Sequence, residues 1–202
     1  MKTAMSVLEK RSLKNEGILN AFQSKKQLQN WLQRAAIDTS LWGEGNAKSV
    51  DHLWEEMQEG EARLQNNPPL RLVDVVQIII RRGKQILLEV KQELANEQVR
   101  FRNQPPSEKI KADESYRDAA LRCFREELGV GETAVTFLHD TYIQIESETD
   151  SLSYPGLKTR YTFHIIEAQV DGLPHESFWH DNTAYGVGDP VKRHHWTWRY
   201  SR

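Results

Sequence analysis

Residues 114–130 read Glu114-Ser115-Tyr116-Arg117-Asp118-Ala119-Ala120-Leu121-Arg122-Cys123-Phe124-Arg125-Glu126-Glu127-Leu128-Gly129-Val130, and the rest of the chain is organised around them. Ser115 followed by Asp118 has the form of a capping box. Gly129 is the residue type that most often closes a helix in the left-handed region, so the spacing predicts a helix over 116–128. At 100° per residue Leu121, Phe124 and Leu128 fall on one face, and Cys123, Glu126 and Glu127 fall on the opposite one. Such a helix can be pinned to a sheet by its apolar stripe while it shows carboxylates to a cleft. A plain solvated helix edge has the same appearance, and the helix alone does not choose between the two.

The spacing around the helix shifts that balance. Glu114, Arg122, Glu126, Glu127, Gly129 and Val130, with apolar Phe124, stand at E-x7-R-x-U-x-E-E-x-G-U, where U is a bulky apolar residue. This closely resembles the Nudix box, G-x5-E-x7-R-E-U-x-E-E-x-G-U, and it lies downstream of two apolar strand-like runs, as in that family. The resemblance implies an α/β fold: a Nudix-type mixed β-sheet sandwiched by helices, here preceded by a small N-terminal helical segment. It also implies hydrolysis of the phosphoanhydride of a nucleoside diphosphate linked to another moiety. Mg²⁺ or Mn²⁺ would be held by Glu126 and Glu127, would neutralise the diphosphate and would activate water. Arg122 would orient those glutamates through an ion pair, and Glu114 would assist from the preceding loop. Lys109 and Lys111, in the same loop, either contact phosphate or are plain surface lysines.

Two positions depart from the box. Its leading glycine is replaced by Glu108, and the glutamate after the arginine by Cys123. The first change predicts a loop that bends differently or is strained, because only glycine takes positive φ freely. The second removes a carboxylate from the metal face, and a neutral thiol is a poor ligand for a hard cation. Two readings therefore stand. One is a divergent hydrolase whose missing ligand comes from a second site; the other is a catalytically silent Nudix fold used for ligand sensing or protein binding. For the general base, Glu146, Glu148 and Glu167 lie on segments that can approach the site, and the sequence does not choose among them.

At 202 residues the chain suits one ordinary domain with an appendage, or two small domains. A net charge of −2 gives no pull toward nucleic acid or anionic lipid. No apolar run is long enough to span a bilayer. Cys123 is the only cysteine, which excludes an intrachain disulfide and fits a reducing, cytoplasmic setting. Lys2, Lys10, Arg11 and Lys14 are interleaved with Glu9 and Glu16, which argues against a transit peptide. The expected partner is a nucleotide-diphosphate small molecule, and homo-oligomerisation stays open.

Outward from the box, residues 1–66 read as a helical hairpin and 67–202 as the Nudix-like domain. Ser24 precedes a run with Leu28, Trp31 and Leu32 at helical spacing, and Ser49 precedes Val50, Leu53, Trp54, Met57 and Leu64. Trp31, Trp42 and Trp54 are either core or, less in keeping with short helices, a ligand cage. Asn66-Asn67-Pro68-Pro69 has linker composition. Leu72–Ile80 and Ile86–Val90 read as a strand hairpin, and Val99–Arg102 as a short strand with Arg100 and Arg102 facing either phosphate or solvent. Strands are expected over 134–145, 158–170 and 191–200, with a polar loop at 146–157 and irregular chain at 178–189. His194 and His195 have no companion ligand at zinc spacing. The basic and aromatic C-terminus is read as a strand with Trp196 and Trp198 inward, in preference to a base-stacking surface.

Overall fold

Ser24 and Ser49 each accept a hydrogen bond at the start of an N-terminal helix, as their positions predict. The computed structural model describes residues 18–19, 22–186 and 190–201, so Lys2, Lys10, Arg11, Lys14 and Asp189 lie outside it. Among the described residues the order is β1 (Ile18–Leu19), α1 (Lys25–Arg34), α2 (Val50–Gln58), β2 (Arg63–Gln65), β3 (Leu70–Arg82), β4 (Gln85–Leu94), β5 (Val99–Gln104), β6 (Ser107–Lys109), α3 (Tyr116–Leu128), β7 (Val135–Thr149), β8 (Thr159–Val170), β9 (Phe178–Asp181) and β10 (Val191–Tyr200). The class is the mixed α/β one expected. No helix among the described residues is long and apolar enough to cross a membrane.

β3 is the hub of the sheet. Its first residues pair with β2 (Leu72 opposite Arg63), its middle with β6 (Val76 opposite Glu108) and its end with β4 (Arg81 opposite Ile86). β8 also pairs with β3, and β7 pairs with β8. From β4 the order continues through β10 to β9, while β5 takes a further stretch of β4. The β-branched run predicts central burial, and Val76, Ile78 and Ile80 are at most 1% exposed.

The chain forms two compact units, residues 1–73 with 147–161, and residues 74–146 with 162–202. The division therefore falls inside β3, β7 and β8 and not at Asn66–Pro69. Those four residues form the turn of a β2–β3 hairpin, in which Gln65 is opposite Leu70. Leu64, expected on α2, lies in β2. Residues 147–161 belong to the first unit because Tyr154 and Leu157 are wholly buried with Leu28, Trp31, Trp42, Leu53 and Leu64. The tryptophans of this unit are thus core: Trp31 and Trp42 lie in that cluster and Trp54 packs against it.

The second unit has its own core. Val76, Ile78, Leu87, Phe124, Ile166 and Trp196 lie in one cluster, and α3 contributes Ala119, Ala120, Cys123, Phe124 and Leu128 to it. The helix buries a wider face than the stripe of Leu121, Phe124 and Leu128 predicts. Cys123, expected on the open acidic face, is fully buried.

Candidate active site

Both ends of α3 are fixed by local chemistry. At the start, the Ser115 hydroxyl accepts from Asp118 N–H at 3.2 Å, and the Asp118 carboxylate accepts from Ser115 N–H at 3.0 Å. At the end, Gly129 has φ +66°, and a Cβ there would lie 2.3 Å from His180 Nε2. Only glycine allows both the turn and the approach of that ring. The last carbonyls are also satisfied: Thr183 N–H donates to Glu126 at 3.0 Å, and Trp196 Nε1 donates to Glu127 at 3.2 Å. The backbone of the glutamate pair is therefore held by the segment after β9 and by β10.

Arg122 gathers the carboxylates on one side of the helix. Its Nε and Nη2 donate to the two oxygens of Glu114, both at 2.8 Å, and Nη2 also donates to the Lys109 carbonyl at 2.8 Å. Its Nη1 lies 3.3 Å from Glu108 Oε1 and 3.9 Å from Glu126 Oε2. Burial alone would push the guanidinium down, but the Glu114 hydrogen bonds and the charges of Glu108, Glu114 and Glu126 hold it above its ordinary range. Arg122, with Lys111 N–H, in turn holds the Glu114 carboxyl below the usual range, against the opposing effect of burial. The structure thus brings Glu114, Arg122 and Glu126 together. It fixes Lys109 and Lys111 to them through the Lys109 carbonyl and through Lys111 N–H, which donates to Glu114 at 3.1 Å. Glu108 does not sit on a strained loop. It is extended in β6, and outside glycine the described residues with positive φ are Ala36, Glu97 and Asn103.

Glu127 faces a second group. One ligand atom each from Glu89, Glu127 and His194 lie within 4.8 Å of one another. His194 Nδ1 is 2.5 Å from Glu89 Oε1 and 3.7 Å from Glu127 Oε2, and Arg102 Nε is 3.0 Å from Glu89 Oε2. Glu89 is 4% exposed and His194 1%, so the carboxylate is desolvated and relies on Arg102 and on its hydrogen bond with the His194 ring. The Cys123 thiol is driven well up, first by its burial and then by the charges of Glu127, Glu108 and Glu89.

Glu89 is absent from the reading of the sequence, and His194 enters it only as a histidine without a companion at zinc spacing, whereas the structure gives it Glu89 and Glu127; each leaves a trace in the sequence. Glu89 interrupts the apolar run Ile86–Val90 two residues after inward Leu87, and His194 alternates with inward Trp196 and Trp198. Of the arginines expected to face either phosphate or solvent, Arg100 bonds Gln92, and Arg102 bonds Gln104 and faces Glu89. Glu167 is engaged by Arg81 and Glu148 by Arg160, while Glu146 is exposed on β7. A shallow depression of about 330 Å³ beside α3 is lined by Glu114, Arg122, Arg125 and Gly131, at the small end of ligand clefts. Carboxylate oxygens dominate the whole region, which is the donor set of hard divalent cations.

A family model described as NUDIX domain matches residues 70–185, more than half of the chain. No curated protein matches it. Among solved structures, it is similar to an Ap4A hydrolase of C. elegans in a binary complex, at 18% identity, covering 63% of this chain and 80% of that one with a TM-score of 0.36. It is also similar to a NUDIX hydrolase from Nitrosomonas europaea, at 17% identity over 62% and 71% of the two chains with a TM-score of 0.38. These scores are too low to carry an argument; the family match carries it.

Proposed function

The chain belongs to the NUDIX domain family, and from that membership we propose that it is a divergent hydrolase of the phosphoanhydride in a nucleoside diphosphate linked to another moiety. The observation that supports this most is the pair Glu126 and Glu127 at the fixed end of α3, with Arg122 tying Glu126 to Glu114. Carboxylate oxygens suit a hard divalent cation, and Glu127 lies with Glu89 and His194, one ligand atom of each within 4.8 Å of the others. Glu126 and Glu127 would hold Mg²⁺ or Mn²⁺, which supplies charge neutralisation at the diphosphate and activation of water. Arg122 sets the direction of the Glu126 carboxylate and ties the Lys109 segment to the helix. Lys109 and Lys111, on that segment, would meet phosphate oxygens. A lone cysteine suits a reducing compartment, which supports a cytoplasmic setting.

The loss of a box carboxylate at Cys123 favours a second reading, a silent fold that binds its ligand without cleaving it. A panel of nucleoside-diphosphate-linked compounds with Mg²⁺ or Mn²⁺, followed by ³¹P NMR, decides between them. The hydrolase reading expects metal-dependent cleavage that falls by about a hundredfold or more in Glu127→Gln, as for removal of a group acting at the transition state. No turnover of any member, with a ligand still raising the melting temperature, establishes the silent reading instead.

A further inference from the structure

The two adjacent glutamates of α3 face different groups. Glu126 Oε2 lies 3.9 Å from Arg122 Nη1, the arginine that also holds Glu114. Glu127 Oε2 lies 3.7 Å from His194 Nδ1, which β10 supplies. The same nitrogen is 2.5 Å from Glu89 Oε1, which β4 supplies. One imidazole nitrogen and two carboxylate oxygens, from a helix and two paired strands, thus lie within reach of one another. Ligands about 2.0–2.2 Å from a zinc ion stand roughly 3.4 Å apart in a tetrahedral shell. The separation of Nδ1 from Glu127 Oε2 is close to that already, and Nδ1 and Glu89 Oε1 need to part by about 1 Å. Arg102 Nε lies 3.0 Å from the other oxygen of Glu89, Oε2, so it fixes the carboxylate from behind and leaves Oε1 for a cation.

Unserved ring nitrogens set this group apart from a buried ion pair. His194 is 1% exposed, yet its Nε2 has no hydrogen-bond partner among the described residues. His180, opposite His194 across β9 and β10 and set against Gly129, also has a buried ring nitrogen without a partner, Nδ1. Buried polar atoms are nearly always satisfied by protein, water or an ion. Two such histidines at the end of α3, beside two carboxylates, are better suited to a bound ion than to packing.

We propose that Glu89, Glu127 and His194 form a mixed nitrogen and oxygen centre that takes a borderline transition metal, Zn²⁺ or Co²⁺, in preference to Mg²⁺. The centre shares Glu127 with the hydrolase reading above and does not depend on turnover. Mg²⁺ keeps to oxygen ligands and dehydrates reluctantly, whereas imidazole suits the later first-row metals. His194 is therefore the residue that sets which metal is kept.

Calorimetric titration of the full chain with Zn²⁺, Co²⁺ and Mg²⁺, beside Mg²⁺-dependent turnover of the nucleoside-diphosphate panel, tests this. The parent is expected to bind one Zn²⁺ or Co²⁺ about a hundredfold or more tighter than Mg²⁺. His194→Gln is expected to lose most of that preference, with a smaller effect on Mg²⁺, and Glu89→Gln to weaken Zn²⁺ by about tenfold or more. The chain has seven histidines, so long-range ¹H–¹⁵N spectra of the parent's rings identify the ligating nitrogen without a substitution, and they decide the matter if a variant does not fold. Zn²⁺ is expected to shift the His194 ring, at Nδ1. Shifts confined to other histidines, or parent-like Zn²⁺ binding in His194→Gln, mean adventitious binding only and overturn the centre. A parent that holds Zn²⁺ no more tightly than Mg²⁺ overturns it too. In those cases Mg²⁺-dependent turnover that Glu127→Gln abolishes leaves the hydrolase reading standing. Tight Zn²⁺ at His194 without turnover of any compound does the reverse: the centre stands and the hydrolase reading falls.

Discussion

Glu114 owes its lowered pKa chiefly to the hydrogen bonds of Arg122. A carboxyl held below its ordinary value of 4.5 contributes stability that is fully present above that value. The contribution is lost as the pH falls through the lowered, folded-state value. Glu114→Gln is therefore expected to be less stable than the parent at neutral pH, with the gap closing as acid is added below the ordinary glutamate range. Denaturant midpoints from neutral pH down to about 3 check the sign, and a constant gap would show that packing, not charge, is lost. At this scale the sequence was legible where spacing is local. Glu114 and Glu126 meet at the Arg122 guanidinium, because one helix and the turn before it determine their distances. Cys123 was not, since a helical wheel gives angles but not which faces the sheet covers. Glu89 and His194 were not either. They meet across two paired strands, 105 residues apart, and no local pattern records that.

Among the elements, α3 is the one the sequence described best, from Ser115 to Gly129, because its termination signals are local and unambiguous. Ser115→Ala removes the acceptor for Asp118 N–H and is expected to cost about 1 kcal/mol, read by urea unfolding. Gly129→Ala costs about 1–2 kcal/mol for the left-handed backbone alone, and the new Cβ must also displace His180. The second variant should therefore be clearly the less stable of the two, and equal losses would mean that the His180 ring moves aside freely. The strands were less legible at their margins. β3 was recognised by its β-branched run, but its division among β2, β6 and β4 depends on partners distant in sequence. β6 was read as loop because three residues carry no alternation. β9 was read as irregular chain, yet Phe178–Asp181 pairs with β10 in register, with His180 opposite His194.

For the whole molecule, the compact units divide the chain differently from its composition. Asn66-Asn67-Pro68-Pro69 is equally suited to a linker and to a tight turn, and the outcome depends on whether Leu64 and Leu70 on either side are buried, which both are. The polar stretch from Glu146 to Leu157 likewise hid Tyr154 and Leu157, two wholly buried anchors of the first unit. That unit is fastened by charge as well as by apolar contact. Arg71, 3% exposed, donates from Nη2 to Glu56 Oε2 at 2.6 Å, Lys48 Nζ reaches Glu56 Oε1 at 2.6 Å, and the Arg71 guanidinium lies 5.1 Å from the centre of the Tyr154 ring. The pair thus joins α2, β3 and the returning segment 147–161. Glu56→Ala leaves the buried guanidinium without its carboxylate and is expected to cost about 3–5 kcal/mol, whereas replacing both charges with apolar side chains is often neutral or stabilising. Glu56→Leu with Arg71→Met should therefore recover most of what Glu56→Ala loses, while Lys48, 42% exposed, turns to water. Urea unfolding gives the two energies, and proteolysis within 147–161 reports whether the segment has come loose. Cleavage there should rise in Glu56→Ala and stay low in the double variant. If both variants are cleaved alike, the segment is held by directed hydrogen bonds to Glu56 and Arg71, and apolar volume at those positions does not replace them.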